Sequence, residues 1–235
     1  FSASLIDGVV WTLRLTGPAI DALVSYFNCH FLLSFAFLKQ SANIRPNSMT
    51  KQQRIGAFVR LKTFLDRHFS KTFLNEETQL HEGLNALLDS AFTYNGWFSR
   101  NFTEEALKNI ALMLDEKELD VFCKPIPENV EAKRVAVICA GNIPLVCFHD
   151  VMCVLLSGHQ LIVKMSEDDK VLLPFFLKLL VHYEPGFDEK IRFAHGRLSE
   201  FDAVIATGSN NTAKHFEFYF SKYPCLNLTA FYIMG

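Results

Sequence analysis

The sequence predicts an α/β protein in which a parallel, doubly wound sheet follows a helical N-terminal part. Three observations carry that expectation. Apolar residues recur at helical spacing from residue 49 to about 127. After the break at Lys124-Pro125-Ile126-Pro127 the pattern changes to short, continuous apolar runs such as "RVAVICA" (134–140). Those runs then alternate with segments of helix length, and strands separated by helices pair in parallel.

The elements follow in order. Residues 1–48 form an apolar head of different character. Ala22 to Leu38 carries no charge, which approaches the roughly 20 residues a membrane helix needs. Asn28 and His30 interrupt that run and Asp21 borders it, so a membrane span is disfavoured; no basic residue precedes Arg14, which argues against a signal peptide. The linker "NIRPNS" (43–48) leads to Met49, which is read as the native start. From Thr50 to Phe69, Ile55, Phe58, Val59, Leu65 and Phe69 mark a first amphipathic helix. A second fits Gln79 to Phe92, the stretch "TYNGWFS" makes a turn, a third helix spans about Glu104 to Leu114, and a short fourth follows. These stripes read as core.

Beyond Pro127, 134–140 is a strand buried on both faces. Leu145 to Leu156 is apolar nearly all round, a buried helix with Pro144 suited to its first turn and Ser157-Gly158 ending it. "QLIVKM" (160–165) is the next strand. Ser166 and Asp169 resemble a capping box for a helix running to about Tyr183, which Pro174 should kink. "IRFA" (191–194) and "FDAVIA" (201–206) are further strands, and "TGSNN" (207–211) leads into a helix ending near Tyr223.

Composition narrows the function classes. Half the residues are hydrophobic, and 23 basic residues against 25 acidic give a net charge of −2 without a basic run. Nucleic acid is therefore not an expected partner. The cysteines (29, 123, 139, 147, 153 and 225) show neither Cys-x-x-Cys nor metal-ligand spacing. They read as buried free thiols of a reducing cytoplasm. The 23 phenylalanines have no account here beyond core filling.

In doubly wound sheets ligands sit at the carboxyl ends of strands. Asn142, Lys164 to Ser166 and Thr207 to Ser209 all fall there. By residue type alone each has two readings. Asn142 is either a cap for the helix at Pro144 or a hydrogen-bond donor to a ligand. Lys164 either snorkels from the sheet or supplies a compact charge to phosphate or hydroxyl oxygens. Gly208-Ser209 before a helix is either an ordinary cap or an anion site. Glu167-Asp168-Asp169 suits a first turn as dipole partner. His149 and Asp150, being adjacent, point to different helix faces and make no dyad by themselves; His159 and His195 read as satisfied surface or turn histidines.

The ordered set "AGNIPL…SGHQLIVKMSEDDKVLLP…FDAVIATGSNN" resembles the acyl-CoA reductase family, a bacterial luciferase-associated branch of the aldehyde dehydrogenase superfamily. The resemblance covers residues 49–224 and is densest from 135 onward. It implies a Rossmann-like, aldehyde dehydrogenase-type cofactor domain at 128–224, behind the helical part at 49–127. It also implies reduction of a long-chain fatty acyl-CoA to fatty aldehyde with NADPH, through a cysteine that carries the acyl group, in a homo-oligomeric, cytoplasmic full-length protein. By that resemblance Asn142 is the catalytic donor to the oxyanion, Gly141 lets the backbone turn sharply, and His195-Gly196 lies in a loop near the cofactor. Lys164 and Ser166 would hold the cofactor's adenosine ribose or its 2′-phosphate; Thr207, Gly208 and Ser209 would hold its pyrophosphate. No metal is implied. The resemblance stops after Pro224: residues 225–235 form a divergent tail, the domain bearing the nucleophilic cysteine is not in this chain, and Cys225 is not promoted to that role. The chain alone is therefore expected to lack reductase activity. Two other readings stay open: a fragment of an oxidative aldehyde dehydrogenase, or a membrane-anchored, non-enzymatic binding protein.

Overall fold

The first helix opens on a capping box, a local signal independent of the rest of the chain. In the computed structural model the Thr50 hydroxyl accepts from the Gln53 amide at 3.2 Å, and the Thr50 amide donates to the Gln53 side chain at 2.8 Å. The structure describes residues 49–128, 130–208, 219 and 225–229. The chain divides into two compact units, residues 1–39 and 40–235, and all described residues belong to the second. The apolar head, the linker before Met49 and almost all of the helix expected after Ser209 lie outside them.

Helix α1 (Lys51–Ser70) buries Ile55, Ala57, Phe58, Leu61, Phe64 and Leu65 and ends at Lys71 in the left-handed region (φ 57). Helices α2 (Thr78–Tyr94), α3 (Arg100–Met113) and α4 (Glu116–Cys123) complete the helical part. The third starts before the predicted Glu104 because Ser99 accepts from the Phe102 amide at 3.3 Å and sets the start at Arg100.

Five strands follow: β1 (Arg134–Ile138), β2 (Gln160–Lys164), β3 (Ile191–Phe193), β4 (Ala203–Gly208) and β5 (Cys225–Thr229). They pair in the order β3-β2-β1-β4-β5, every pair parallel. The predicted neighbours around β1 are as expected, with Val135 opposite Leu161 on one side and Ala203 on the other. Helices α5 (Phe148–Leu156) and α6 (Leu172–Tyr183) cross between strands. Both faces of the sheet are dry: Ala136, Ile162 and Val204 form one apolar cluster with Phe201, and Val135, Val137, Leu161 and Val163 are buried as well. That is why these strands read as continuous apolar runs instead of alternating ones.

The phenylalanines gain a partial account. Phe58 of α1, Phe148 of α5, Phe176 of α6 and Phe187 beyond it meet edge to face, with centroids 6.1 to 6.5 Å apart. This geometry adds about 0.5–1.5 kcal/mol per pair to the burial itself and joins the helical part to the sheet layer. Arg54 makes the polar counterpart of that junction. Buried on α1, it donates from Nε to the Leu156 carbonyl at 2.8 Å and from Nη1 to the Met49 carbonyl at 2.7 Å. A cation there satisfies the carboxyl end of α5, where Gly158 (φ 83) turns the chain. Arg54→Ala should cost about 3 kcal/mol, from two charged hydrogen bonds lost in a buried site. Urea denaturation of the two proteins measures it; a loss near zero would show that water replaces the guanidinium.

Several expectations need correction. The helix after β1 does not begin at Pro144. Residues 141–147 form turns, Leu145 adopts φ 58, and the helix starts only at Phe148. Ser166 and Asp169 do not cap the following helix, which starts at Leu172; Asp169 is turned inward instead. Pro174 thereby falls in the first turn of α6, where no helical N–H is needed, and kinks nothing. Strand β4 runs on through Thr207 and Gly208, which pair with Leu228 and Thr229, so that part of the divergent tail is a sheet strand. Cys139 and Cys147, expected as free thiols, form a disulfide with a Cα–Cα distance of 5.3 Å, because the turn at 141–147 folds back on the end of β1. Cys123 and Cys153 are buried free thiols as expected, and burial pushes Cys123 up to about 12. Among the described residues no helix is long and apolar enough to cross a membrane.

Candidate functional site

Strand order 3-2-1-4-5 has its topological switch at β1: the chain leaves β1 toward β2 and β3, then returns to pair β4 on the other side. A crevice at the carboxyl ends of β1 and β4 follows from that topology. The sequence places its candidates along this edge. The turn after β1 carries Asn142, β2 ends at Lys164, and β4 ends with Thr207 and Gly208. The register aligns them, since Ile138 lies opposite Lys164 on one side and Ala206 on the other. Ser209 lies outside the described residues.

Asn142 is exposed at the tip of its turn. The cap reading fails for it: α5 begins at Phe148, its N-cap is Cys147, and no side chain caps it. Gly141 is required here for close approach. A Cβ on it would overlap the Ser166 hydroxyl and come within 2.8 Å of Asp168 Cβ. Ser166, half-buried, accepts the Asp168 amide at 3.3 Å and so shapes the turn beneath Gly141.

Two residues hold this turn from either side, Asn95, to which the sequence reading gave no role, and Asp169, which it read as a helix cap and dipole partner. The Asn95 side chain donates to the Gly141 carbonyl at 2.9 Å. The Asp169 carboxylate accepts the Leu145 amide at 2.6 Å. Asp169 is 3% exposed, and burial outweighs its one backbone hydrogen bond and raises its carboxyl to about 6. Neither partner was legible in sequence, because both contacts join segments far apart in the chain.

Lys164 closes β2 and reaches the Gly196 carbonyl at 2.9 Å. Gly196 takes φ 83, a left-handed residue in the loop after β3. An ammonium has three donors, so this bond leaves two for a ligand. His195 beside it is exposed. Glu167 pairs with Lys170 at 2.9 Å and acts on no helix dipole.

His149 corrects a further expectation. It does approach Asp150, Nδ1 to Oδ1 at 3.8 Å, and its ring lies 3.7 Å from Cys153 Sγ one turn along α5. Burial lowers the imidazole's basicity, but Cys153 and Asp150 together outweigh it and raise the group to about 10. This cluster begins in the first turn of α5. His159 is buried, with Nδ1 accepting the Lys133 amide at 3.2 Å, so it is a core residue and not a surface one. Among the described residues no three acidic, histidine or cysteine side chains form a metal site.

The fold recurs in proteins of known structure. The chain is similar in fold to a NAD-dependent benzaldehyde dehydrogenase from Corynebacterium glutamicum (12% identity, TM-score 0.55, covering 90% of this chain and 46% of that one). It is similarly related to proline utilization A from Corynebacterium freiburgense (15%, TM-score 0.53, 86% and 20%). A third neighbour is HpcC from Thermus thermophilus (14%, TM-score 0.52, 89% and 40%). The chain thus spans less than half the length of each. Curated protein sequences give no match. The acyl-CoA reductase (LuxC) family, however, matches residues 60–217, from within α1 to beyond the end of β4 and well over half of the chain. The chain belongs to the acyl-CoA reductase (LuxC) family.

Proposed function

We propose that this chain is the cofactor-binding portion of an NADPH-dependent acyl-CoA reductase that converts long-chain fatty acyl-CoA to fatty aldehyde, as part of a homo-oligomer. The nucleophilic cysteine would come from sequence outside this chain. One observation carries the reading: Asn142 stands exposed on a turn at the switch point with no capping duty, beside two further strand ends that suit a dinucleotide. NADPH, when bound, supplies the hydride.

The residues present fit that cofactor. Lys164 has donors to spare for ribose hydroxyl or 2′-phosphate oxygens, and Ser166 lies in the adjoining turn. Thr207 and Gly208 end the strand across the switch point, where the pyrophosphate would lie, and Ser209 follows them in sequence. The Asn142 amide would donate to the oxygen of the acyl thioester as it gains negative charge. A fixed amide dipole needs no reorganisation at that moment, which is why such donors favour the transition state over the ground state.

Lys164→Ala should weaken NADPH binding by about 1–3 kcal/mol, or roughly five- to 150-fold, the scale of a lost hydrogen bond to a charged group. Fluorescence titration of the whole chain with NADPH and with NADH measures it. Unchanged affinity in the variant would return Lys164 to tethering the Gly196 loop. No binding by the unsubstituted chain would overturn the cofactor reading.

A further inference from the structure

We propose that Asn95 and Asp169 are positioning residues for the Asn142 donor: together they clamp the turn that presents it. The inference rests on the reading of Asn142 given above and deepens it.

Within the turn from Gly141 to Cys147 the Val146 amide donates to the Ile143 carbonyl at 3.3 Å and the Phe148 amide to the Leu145 carbonyl at 2.9 Å, but neither bond holds the exposed Asn142 end. Three ties to the rest of the chain restrain it further. At its root the Cys139–Cys147 disulfide closes the loop. Just before Asn142, the Gly141 carbonyl takes the Asn95 amide at 2.9 Å. The Asn95 oxygen in turn accepts the Trp97 amide at 3.0 Å, which fixes which end of the side chain faces Gly141. Beyond Asn142, the Leu145 amide donates to Asp169 at 2.6 Å. Leu145 sits at φ 58, which costs a branched side chain of order 1 kcal/mol or more. A buried carboxylate aimed at its N–H is what sustains that conformation. The clamp spans the molecule: Asn95 belongs to the helical part and Asp169 to the crossover after β2. Neither side chain reaches the tip, so both act through the backbone on either side of Asn142. A donor set to an oxyanion must hold within about 0.5 Å to be effective, and these two bonds supply that restraint.

The test has two parts. On the whole 235-residue chain, amide hydrogen exchange should quicken at residues 141–146 in Asn95→Ala and Asp169→Ala. The amides of β1, β2 and α5 should keep their protection, which also establishes that the variants fold. Asp169→Asn, which retains an acceptor for Leu145, should restore slow exchange. In the protein read from the whole gene, Asn95→Ala and Asp169→Ala should lower kcat roughly ten-fold, the scale seen for supporting partners of a site, with the KM for acyl-CoA unchanged. Asp169→Asn should recover most of that loss. Adding Asn95→Ala to Asn142→Ala should cost nothing more, since a clamp without its donor has no effect on the reaction. If Asn142→Ala slows turnover while neither clamp variant does, the clamp is wrong and the donor stands. If Asn142→Ala itself leaves kcat unchanged, the donor reading falls and this proposal with it.

Discussion

Asn142→Ala should lower the turnover of acyl-CoA to aldehyde about 100- to 1,000-fold, equivalent to about 3–4 kcal/mol. The size follows from where the residue stands. Its amide lies on a turn and not on a helix, so its removal leaves α5 and its Cys147 cap as they are. The loss should therefore fall on kcat, with little change in Tm or in NADPH affinity. An asparagine that merely shaped the turn would do the reverse, lowering stability and sparing the chemistry. The measurement is steady-state aldehyde formation from a long-chain acyl-CoA by the protein read from the whole gene, with thermal unfolding alongside. A drop in Tm with kcat retained would refute the donor role. Aldehyde formation by the 235-residue chain alone would show that a nucleophile lies within it. Cys153 would then be the first to replace, because it is a free thiol whose sulfur lies 3.7 Å from the His149 imidazole.

Between pH 7 and pH 4 the stability of the chain should change little, while two single variants tilt in opposite directions. Burial lowers His159 from 6.5 to about 4, with Lys190, Arg54 and Lys133 adding to it. In that interval the unfolded chain takes up a proton that the folded chain refuses, so acidification costs the native state about 3 kcal/mol. Asp169 works the other way. Its folded value of about 6 lies above the ordinary 3.8, so the folded chain takes up the proton first and gains about 3 kcal/mol as the pH falls through the same range. Asp169→Asn should thus leave an acid-labile protein, and His159→Asn, whose carbonyl can still accept the Lys133 amide, an acid-tolerant one. His68 and His81 are buried with Nδ1 atoms 3.1 Å apart and are both lowered, chiefly by desolvation, so they add a downward tilt, and His149, already protonated in the folded chain at pH 7, an opposing one; both are common to all three proteins. Urea midpoints at intervals from pH 7 to pH 4 decide the matter. Three parallel curves would mean that neither buried group is perturbed in the folded state.

How much was legible in sequence differed between fold and site. Strands β1, β2 and β4 were readable because burial on both faces forces unbroken apolar runs, and their parallel pairing follows from the helices between them. The helical part was readable from its periodicity, and the end of α5 from Gly158, whose left-handed φ of 83 is a local requirement. Starts were harder. Pro144 and the Ser166–Asp169 spacing both looked like helix openings, and both failed because a distant contact outweighed the local preference. Asp169 forgoes a cap to hold Leu145, and the turn at 141–147 stays open because the disulfide and Asn95 hold it so.

The sequence by itself determined the order of elements as far as β4, the sheet's parallel character and the strand ends on which Asn142, Lys164, Thr207 and Gly208 stand, since these depend on hydrophobic period and chain direction. Only the tertiary structure decided that Asn142 caps nothing, that Cys139 meets Cys147, and that Asn95 and Asp169 converge on one turn. Those facts depend on contacts between residues as much as 46 positions apart. A buried hydrogen bond of that kind is specified by the packing of whole elements, and nothing in the residues beside it records the partner.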